Sequence, residues 1–142
     1  SKRSNLAGYR FGFVAGDPAV VRRLLEVRKH AGMMVPLPVQ AAAVAAWSDD
    51  AHVREQRARY ARRREVLKAA LRGAGFRIDH SDAGLYLWVT RDEPCWETVN
   101  DLADRGILVA PGDFYGPAGD RHVRVALTAS DEAVELAARR LA

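Results

Sequence analysis

Ser-Lys-Arg-Ser-Asn-Leu-Ala-Gly-Tyr-Arg, residues 1–10, decides how the fold is interpreted, because it places Lys2 and Arg10 eight residues apart. The amine and the guanidinium could contact two ends of one phosphate-bearing aldehyde, since amines attack carbonyl groups and guanidinium groups bind phosphate. A natural chain rarely begins at its reactive lysine, and Ser1 is not an initiator methionine. We therefore expect these 142 residues to be the C-terminal portion of a longer polypeptide.

The composition is that of an ordinary soluble globular chain, with 49% hydrophobic and 28% charged residues. No stretch approaches the roughly 20 apolar residues of a membrane helix, and the first residues do not resemble a signal peptide. We therefore expect a cytoplasmic protein without a membrane partner. The single cysteine, Cys95, is predicted to be a small buried hydrophobe. Because the sequence has no cysteine or histidine cluster, it predicts no metal site.

The net charge of +4 comes from one segment of the chain. Residues 54–72 carry eight basic side chains against Glu55 and Glu65, a local charge of +6, so the remainder nets −2. A solvated helix face explains this pattern, and a surface for nucleic-acid phosphates is the alternative. Because no interleaved aromatic residues or nucleic-acid motif accompany the charge, we expect no nucleic-acid partner.

The first 75 residues predict one strand and three helical segments. Residues 9–15 alternate as a strand in which Arg10 and Gly12 share one face, which suits close approach of a ligand. A helix is predicted over 17–31, from an Asp-Pro start to a glycine stop. Two more helical segments follow: an alanine-rich one that ends at Trp47, and a long basic one over 49–75 that could join two domains.

From residue 76 onward, short strands and two helices predict a compact α+β unit. Helices are predicted to begin at Pro94 and at Ser130. A glycine-rich loop is predicted over 111–119. Strands are predicted over 76–79, 85–90, 107–109 and 122–127.

The last of these strands places an arginine opposite an apolar face. Val123 and Val125 share one face, and Arg124 lies on the other together with His122. An arginine there is either exposed to solvent or reserved for an anion, because its planar fork of donors fits a carboxylate. The strand pattern alone leaves both interpretations open.

Four short motifs occur in order along the chain. The most specific is Lys-x-x-Asn-Leu-x-Gly-x-Arg over residues 2–10, followed by Gly12. The other three are Gly84-Leu85-Tyr86, Pro111-Gly112-Asp113-Phe114-Tyr115-Gly116 and Val123-Arg124-Val125. Together they resemble the C-terminal half of fold-type I, class I and II pyridoxal-phosphate aminotransferases, and the resemblance covers the whole chain.

The resemblance implies an α/β fold class: the C-terminal part of a fold-type I transferase. Residues 1–48 would be the end of the large cofactor-binding domain, 49–75 a connecting helix, and 76–142 the small α+β C-terminal domain. The N-terminal half of the same protein would supply the partner of the pyridine nitrogen and the glycine-rich phosphate segment. We therefore expect this segment alone to be inactive.

The resemblance also implies pyridoxal 5'-phosphate as the cofactor and a role for individual residues. Lys2 would be the Schiff-base lysine and, once released, the group that moves a proton between the substrate α-carbon and the cofactor's aldehyde carbon. Arg10 would bind the cofactor phosphate, and Arg124 would bind the substrate α-carboxylate. Tyr86 and Phe114 could border the substrate, although aromatic residues at such spacing are more often core residues. Of the two, Tyr86 is assigned to substrate binding with Arg124.

Residues 28–36 are similar to N-succinyldiaminopimelate aminotransferases of the diaminopimelate and lysine route. This narrower resemblance implies glutamate as amino donor and N-succinyl-2-amino-6-ketopimelate as acceptor. The loop with Met33 and Met34 would reach the neighbouring subunit in a homodimer of the full-length enzyme. Alternatives are another class I or II aminotransferase, a pyridoxal-phosphate β-lyase and, more remotely, a basic nucleic-acid-binding module acting through residues 54–72.

Overall fold

The computed structural model describes residues 2–142 and shows two compact units. The N-terminal unit is Ser1–Gln56, and the C-terminal unit is Arg57–Ala142. One long helix begins in the first unit and continues into the second. The three-part domain division expected from the sequence stays a prediction.

The N-terminal unit contains two complete helices, α1 (Pro18–His30) and α2 (Leu37–Trp47), and the first turns of α3 (Ala51–Gly73). The carboxylate of Asp17 caps α1 by accepting hydrogen bonds from the next turn, 2.7 Å from Ala19 N. This cap satisfies backbone donors that no helical carbonyl can reach. The three helices predicted from the sequence are therefore confirmed.

The strand predicted over residues 9–15 is wrong. The chain forms a 3₁₀ turn at Ala7–Tyr9 and then adopts a left-handed conformation at Arg10, with φ 50° and ψ 41°. The strands of the described residues all lie between 77 and 126, so this segment has no neighbour to complete a hydrogen-bonded ladder. Its aromatic side chains pack instead on α2, where the Phe13 and Trp47 ring centroids are 4.6 Å apart.

The C-terminal unit is built on a four-stranded antiparallel sheet in the order β1-β2-β4-β3. Two further helices, α4 (Cys95–Asp104) and α5 (Asp131–Leu141), complete the unit. Ser130 caps α5 as predicted, because its hydroxyl accepts a hydrogen bond from Ala133 N. The strands are β1 (Arg77–Asp79), β2 (Tyr86–Thr90), β3 (Ala110–Pro111) and β4 (Val123–Ala126).

One face of the sheet forms the core of the C-terminal unit. Strand alternation points Leu87 and Val89 of β2, and Val123 and Val125 of β4, to the same buried face. Cys95 is buried, which confirms the prediction of a small buried hydrophobe. The helices add apolar residues to this core: Leu67, Leu71, Leu102, Val134 and Leu141.

The strand predicted over 107–109 is wrong by three residues, because β3 is Ala110–Pro111. Gly106 has φ 70°, and Ile107 N donates to Leu102 O at 2.8 Å, so the chain is still closing the end of α4. Leu108 is 91% exposed in this connection. Pairing with β4 starts only at Ala110, opposite Arg124.

The interpretation of the basic helix as a solvated face is wrong for two of its arginines. Arg64 is buried and donates from Nη1 to Ser81 O at 3.1 Å and from Nη2 to Gly84 O at 2.5 Å. Arg63 forms an ion pair with Asp131 on α5. These contacts fasten α3 to the rest of its own unit.

Two glycines let the loop over 112–119 cross its own backbone. A β-carbon on Gly112 would lie 2.1 Å from Gly119 O, and one on Gly119 would lie 2.2 Å from Gly112 O. The crossing is hydrogen-bonded, because Gly112 N donates to His122 O at 2.8 Å. The loop therefore carries Tyr115 on a fixed backbone.

We predict that Gly112→Ala lowers the free energy of unfolding by about 1–3 kcal/mol or more, the usual range for overpacking. The clashing atoms belong to backbone, which cannot rotate away as a side chain can. Urea denaturation followed by tryptophan fluorescence measures the change. Gly73→Ala is the matched control, because nothing lies within 4 Å of its β-carbon position. A Gly112→Ala curve that overlays the wild type would contradict the crossing.

Candidate active site

The predicted cofactor residues of the N-terminal unit, Lys2 and Arg10, are both exposed. Lys2 lies in the turn that opens the described chain, and Arg10 Nη1 donates to Ala7 O at 3.3 Å. Arg10 and Asn5 have positive φ angles, 50° and 51°. Residues other than glycine are rare in this conformation, and such residues concentrate at functional sites.

Strand pairing in the C-terminal unit brings Tyr86 and Arg124 together. Trp88 on β2 is directly opposite Arg124 on β4, and Tyr86 is opposite Ala126. These side chains occupy the face of the sheet opposite the apolar core. The Arg124 Cζ atom lies 4.1 Å from the Tyr86 ring centroid, close enough for cation–π attraction.

Tyr115, from the crossed loop, contacts the same guanidinium at 5.3 Å from its ring centroid to Cζ. Arg124 Nε is buried and has no hydrogen-bond partner among the described residues. An arginine held by rings rather than by a carboxylate keeps its charge available for another anion. This arrangement favours the anion-binding interpretation of Arg124 that the strand pattern left open.

An open cavity of 310 Å³ surrounds this arginine within the C-terminal unit. Its lining is mostly aromatic and contains one permanent positive charge. A carboxylate attached to an apolar or planar group would match both properties. The lining residues are His80, Ser81, Tyr86, Trp88, Tyr115 and Arg124.

A row of rings beside Arg124 was not identified from the sequence: Trp88, Tyr115 and His122. The Trp88 ring meets Tyr115 edge-on at 5.8 Å and stacks on His122 at 5.2 Å with an interplanar angle of 7°. His122 Nε2 lies 3.0 Å from Asp79 Oδ2. Strand alternation, which put His122 on the face of Arg124, was the available signal. The contribution of Tyr115 was missed because it lies in a loop, where no strand or helix period predicts the direction of a side chain.

The Asp79 carboxylate anchors this row of rings at the edge of the sheet. Its hydrogen bond with His122 and a second one from Arg77 Nε, at 3.1 Å, lower the pKa of Asp79 from its ordinary value. A carboxyl group with a lowered pKa in the folded state stabilises the fold above its unfolded pKa. That contribution is lost as pH falls through the acidic range.

We predict that Asp79→Asn destabilises the protein at pH 7 and that the difference from wild type shrinks as pH falls below about 4. Asparagine cannot carry the charge that His122 and Arg77 stabilise. Urea denaturation at pH 7, 5, 4 and 3 measures the trend. Asp104→Asn, an exposed change at the end of α4, is the control. A difference that stays constant with pH would contradict a role for the Asp79 charge.

Phe114 is neither a core residue nor part of the cavity lining. It is 69% exposed, and its ring meets Trp96 edge-on at 5.9 Å.

Within residues 2–142, no group of three or more acidic, histidine or cysteine side chains could hold a metal ion. The described helices also include none with the length and apolar character needed to cross a bilayer.

The profile of the family "Aminotransferase class I and II" matches residues 1–141. The curated relative OxyQ of Streptomyces rimosus, a 4-dedimethylamino-4-oxo-anhydrotetracycline transaminase, is 67% identical over 99% of this chain and 39% of its own length. Rv1178 of Mycobacterium tuberculosis, named a probable aminotransferase, is 68% identical over 99% of this chain and 34% of its own. An LL-diaminopimelate aminotransferase of Dehalococcoides mccartyi is 32% identical over the whole chain and 38% of its own length.

Solved structures give the same result for the fold. An aminotransferase from Staphylococcus aureus superposes with a TM-score of 0.85 at 28% identity, over 98% of this chain and 38% of that one. A mutant Thermus thermophilus aspartate aminotransferase reaches a TM-score of 0.89 at 23% identity, over 99% and 38% of the two chains, a likeness of fold alone. The predicted fold class is therefore confirmed as a part of the larger transferase fold.

The chain belongs to the class I and II aminotransferase family. It spans between 34% and 39% of the length of the curated relatives described above. This family and fold depend on pyridoxal phosphate, as predicted. The chemistry of the N-terminal unit fits that cofactor, because an exposed amine suits its aldehyde and an exposed guanidinium suits its phosphate.

Proposed function

We propose that this chain supplies the cofactor lysine and the carboxylate-binding arginine of an aminotransferase that moves an amino group between glutamate and a keto acid. The observation that carries the proposal is Arg124, held between Tyr86 and Tyr115 in an open cavity. Every amino acid and keto acid of this reaction bears a carboxylate next to the reacting carbon. A fixed guanidinium would orient that carbon for each of them.

Lys2 and Arg10 would hold the cofactor in this proposal. When bound, pyridoxal phosphate supplies an electron sink for the bond-breaking step at the substrate α-carbon. The Lys2 amine would take the proton from that carbon as a general base and, as a general acid, deliver it to the cofactor's aldehyde carbon. Arg10 would stay charged throughout and keep the phosphate in place.

Lys2 is favoured over the two other lysines of the chain, Lys29 and Lys68. Lys29 Nζ lies 2.8 Å from Glu26, and Lys68 Nζ lies 3.3 Å from Glu65, each within its own helix. Each ion pair holds the amine against the surface of its own helix and would have to break before that amine could reach an aldehyde. Both lysines therefore suit helix surfaces better than covalent chemistry.

The remaining part of the proposed enzyme would cover the N-terminal unit. Ala43 is the only buried hydrophobic residue among the described residues of this unit. Large apolar side chains remain exposed, including Phe13 at 67% and Leu37 at 77%. Such surfaces are typical of interfaces. This supports the need for the N-terminal half of the same protein and for a homodimer, and it explains why the segment alone would be inactive.

The substrate proposed from the sequence is N-succinyl-2-amino-6-ketopimelate, which places the enzyme in diaminopimelate and lysine biosynthesis in the cytoplasm. This substrate is supported by the similarity of residues 28–36 and by relatives named LL-diaminopimelate aminotransferases. In this chain Arg28 Nη2 closes the segment by donating to Met33 O at 2.7 Å. Met33 and Met34 are more than half exposed and would contact the neighbouring subunit.

A second candidate substrate is a flat polycyclic ketone. The relative OxyQ, 67% identical, is named for the transamination of an anhydrotetracycline ketone. The aromatic lining formed by Tyr86, Trp88 and Tyr115 would stack on such a ring system. Mass spectrometry of products, with glutamate and each candidate ketone, separates these substrates. The same assay with amino acids that carry a β leaving group tests the β-lyase alternative.

We predict that Lys2→Ala removes the visible absorbance of bound pyridoxal phosphate from the full-length protein and abolishes transamination. Alanine has no amine to bond with the aldehyde or to move the proton. Absorbance spectra and a glutamate half-reaction measure both effects. Lys29→Ala, which changes an exposed lysine of α1, is the matched control. A wild-type spectrum in Lys2→Ala would refute the assignment.

We predict that Arg124→Lys raises the KM for the amino and keto acids by roughly 10-fold or more. Lysine keeps the charge but loses the bidentate pair, in which each charged hydrogen bond contributes about 1.5–3 kcal/mol. Steady-state kinetics of the full-length protein measures the change. Arg139→Lys, at the end of α5, is the control. Equal KM values in wild type and Arg124→Lys would show that the carboxylate binds elsewhere.

A further inference from the structure

The turn that carries Lys2 is joined to the start of α3 by a row of three side chains. Ser4 Oγ lies 3.0 Å from His52 Nε2, and His52 Nδ1 lies 2.9 Å from Asp49 Oδ2. Ser4 and His52 are 48 residues apart in sequence. The row therefore connects the lysine turn to a helix that is remote in sequence.

Asp49 fixes the orientation of the imidazole. Its Oδ1 atom accepts a hydrogen bond from Ala51 N at 2.8 Å and so caps the first turn of α3. Its Oδ2 atom faces His52 Nδ1, and this hydrogen bond is the main cause of the lowered pKa of Asp49. With both carboxylate oxygens engaged, the other imidazole nitrogen points at Ser4.

Arg3 makes a second connection to the same region. Its guanidinium forms an ion pair with Asp50, and its Nη1 atom donates to Ala46 O at 2.9 Å. The two residues of the turn that make these contacts, Arg3 and Ser4, directly follow Lys2 in the sequence. They occupy the two unspecified positions of the Lys-x-x-Asn motif.

Serine, histidine and aspartate in hydrogen-bonded order also occur in hydrolases, where the serine attacks a substrate. Ser4 stands in a different context, because it lies inside the tight turn over residues 2–5. Its hydroxyl engages the imidazole at the second position after the proposed cofactor lysine. This placement supports a role for Ser4 in holding the turn over residues 2–5 in one conformation.

We propose that Ser4, His52 and Asp49 are positioning residues that fix the turn carrying Lys2 and so aim its amine, an inference that rests on the proposed function. The row acts through the backbone of the one intervening residue, Arg3, and does not touch the reacting atoms. Misplacement of a reacting group by a fraction of an ångström to about 1 Å is enough to slow chemistry strongly. Exposed polar contacts of this kind contribute little to global stability, so their loss should leave the fold intact.

The test uses the full-length protein loaded with pyridoxal phosphate and carrying His52→Leu, Ser4→Ala or His52→Gln. We expect His52→Leu and Ser4→Ala to weaken cofactor binding at Lys2 at least threefold, measured by absorbance titration. We also expect a 10-fold or greater loss in the single-turnover rate with glutamate, with the Tm unchanged. Glutamine can still reach Ser4 by hydrogen bond, so His52→Gln should recover part of both losses. His30→Leu, on an exposed histidine at the end of α1, is the control.

The outcomes separate this inference from the proposed function. Wild-type cofactor affinity and single-turnover rate in both His52→Leu and Ser4→Ala would overturn the positioning role and leave the role of Lys2 intact. If His52→Leu lowers the Tm, Ser4→Ala decides, because it removes a single hydroxyl group. A loss that His52→Gln does not relieve at all would also contradict the hydrogen-bonded row. A Lys2→Ala protein that still joins the cofactor normally would instead refute the proposed function.

Discussion

The antiparallel pairing of β2 with β4 is the constraint on which the C-terminal unit depends. Its register puts Trp88 opposite Arg124 and, by alternation, sends Val123 and Val125 into the core. A shift by one residue would bury the guanidinium and expose the valines, at the cost of both apolar burial and charge hydration. The same backbone hydrogen bonds therefore stabilise the sheet and set the position of Arg124, the arginine proposed to bind the substrate carboxylate.

The parts of the structure that depend on local pattern could be predicted from the sequence. Helix α1 follows from its Asp-Pro start and glycine stop, and the face of Arg124 follows from strand alternation. The strand expected over 9–15 failed because a strand needs a neighbour, which alternation along one segment cannot reveal. Contacts made by loops were also hidden, including Tyr115 with Arg124 and Arg64 with the backbone of the loop at Ser81.

The proposed chemistry is divided between the two units. The N-terminal unit carries an amine and a guanidinium on a turn with left-handed residues, and the C-terminal unit carries a guanidinium in an aromatic cavity. Neither unit contains all the groups that transamination needs. The chain spans 34–39% of the length of its curated relatives, so the proposed activity is that of a whole transferase of which this chain would be one part.

Borohydride reduction of the full-length protein loaded with pyridoxal phosphate, followed by peptide mass spectrometry, tests the central claim most directly. Reduction makes the bond between cofactor and lysine permanent, so the modified residue can be read from the peptide mass. The account predicts a single stoichiometric pyridoxyl group on Lys2 and none on Lys29 or Lys68. A label on either of those lysines, or on a lysine outside this chain with Lys2 unmodified, would contradict it.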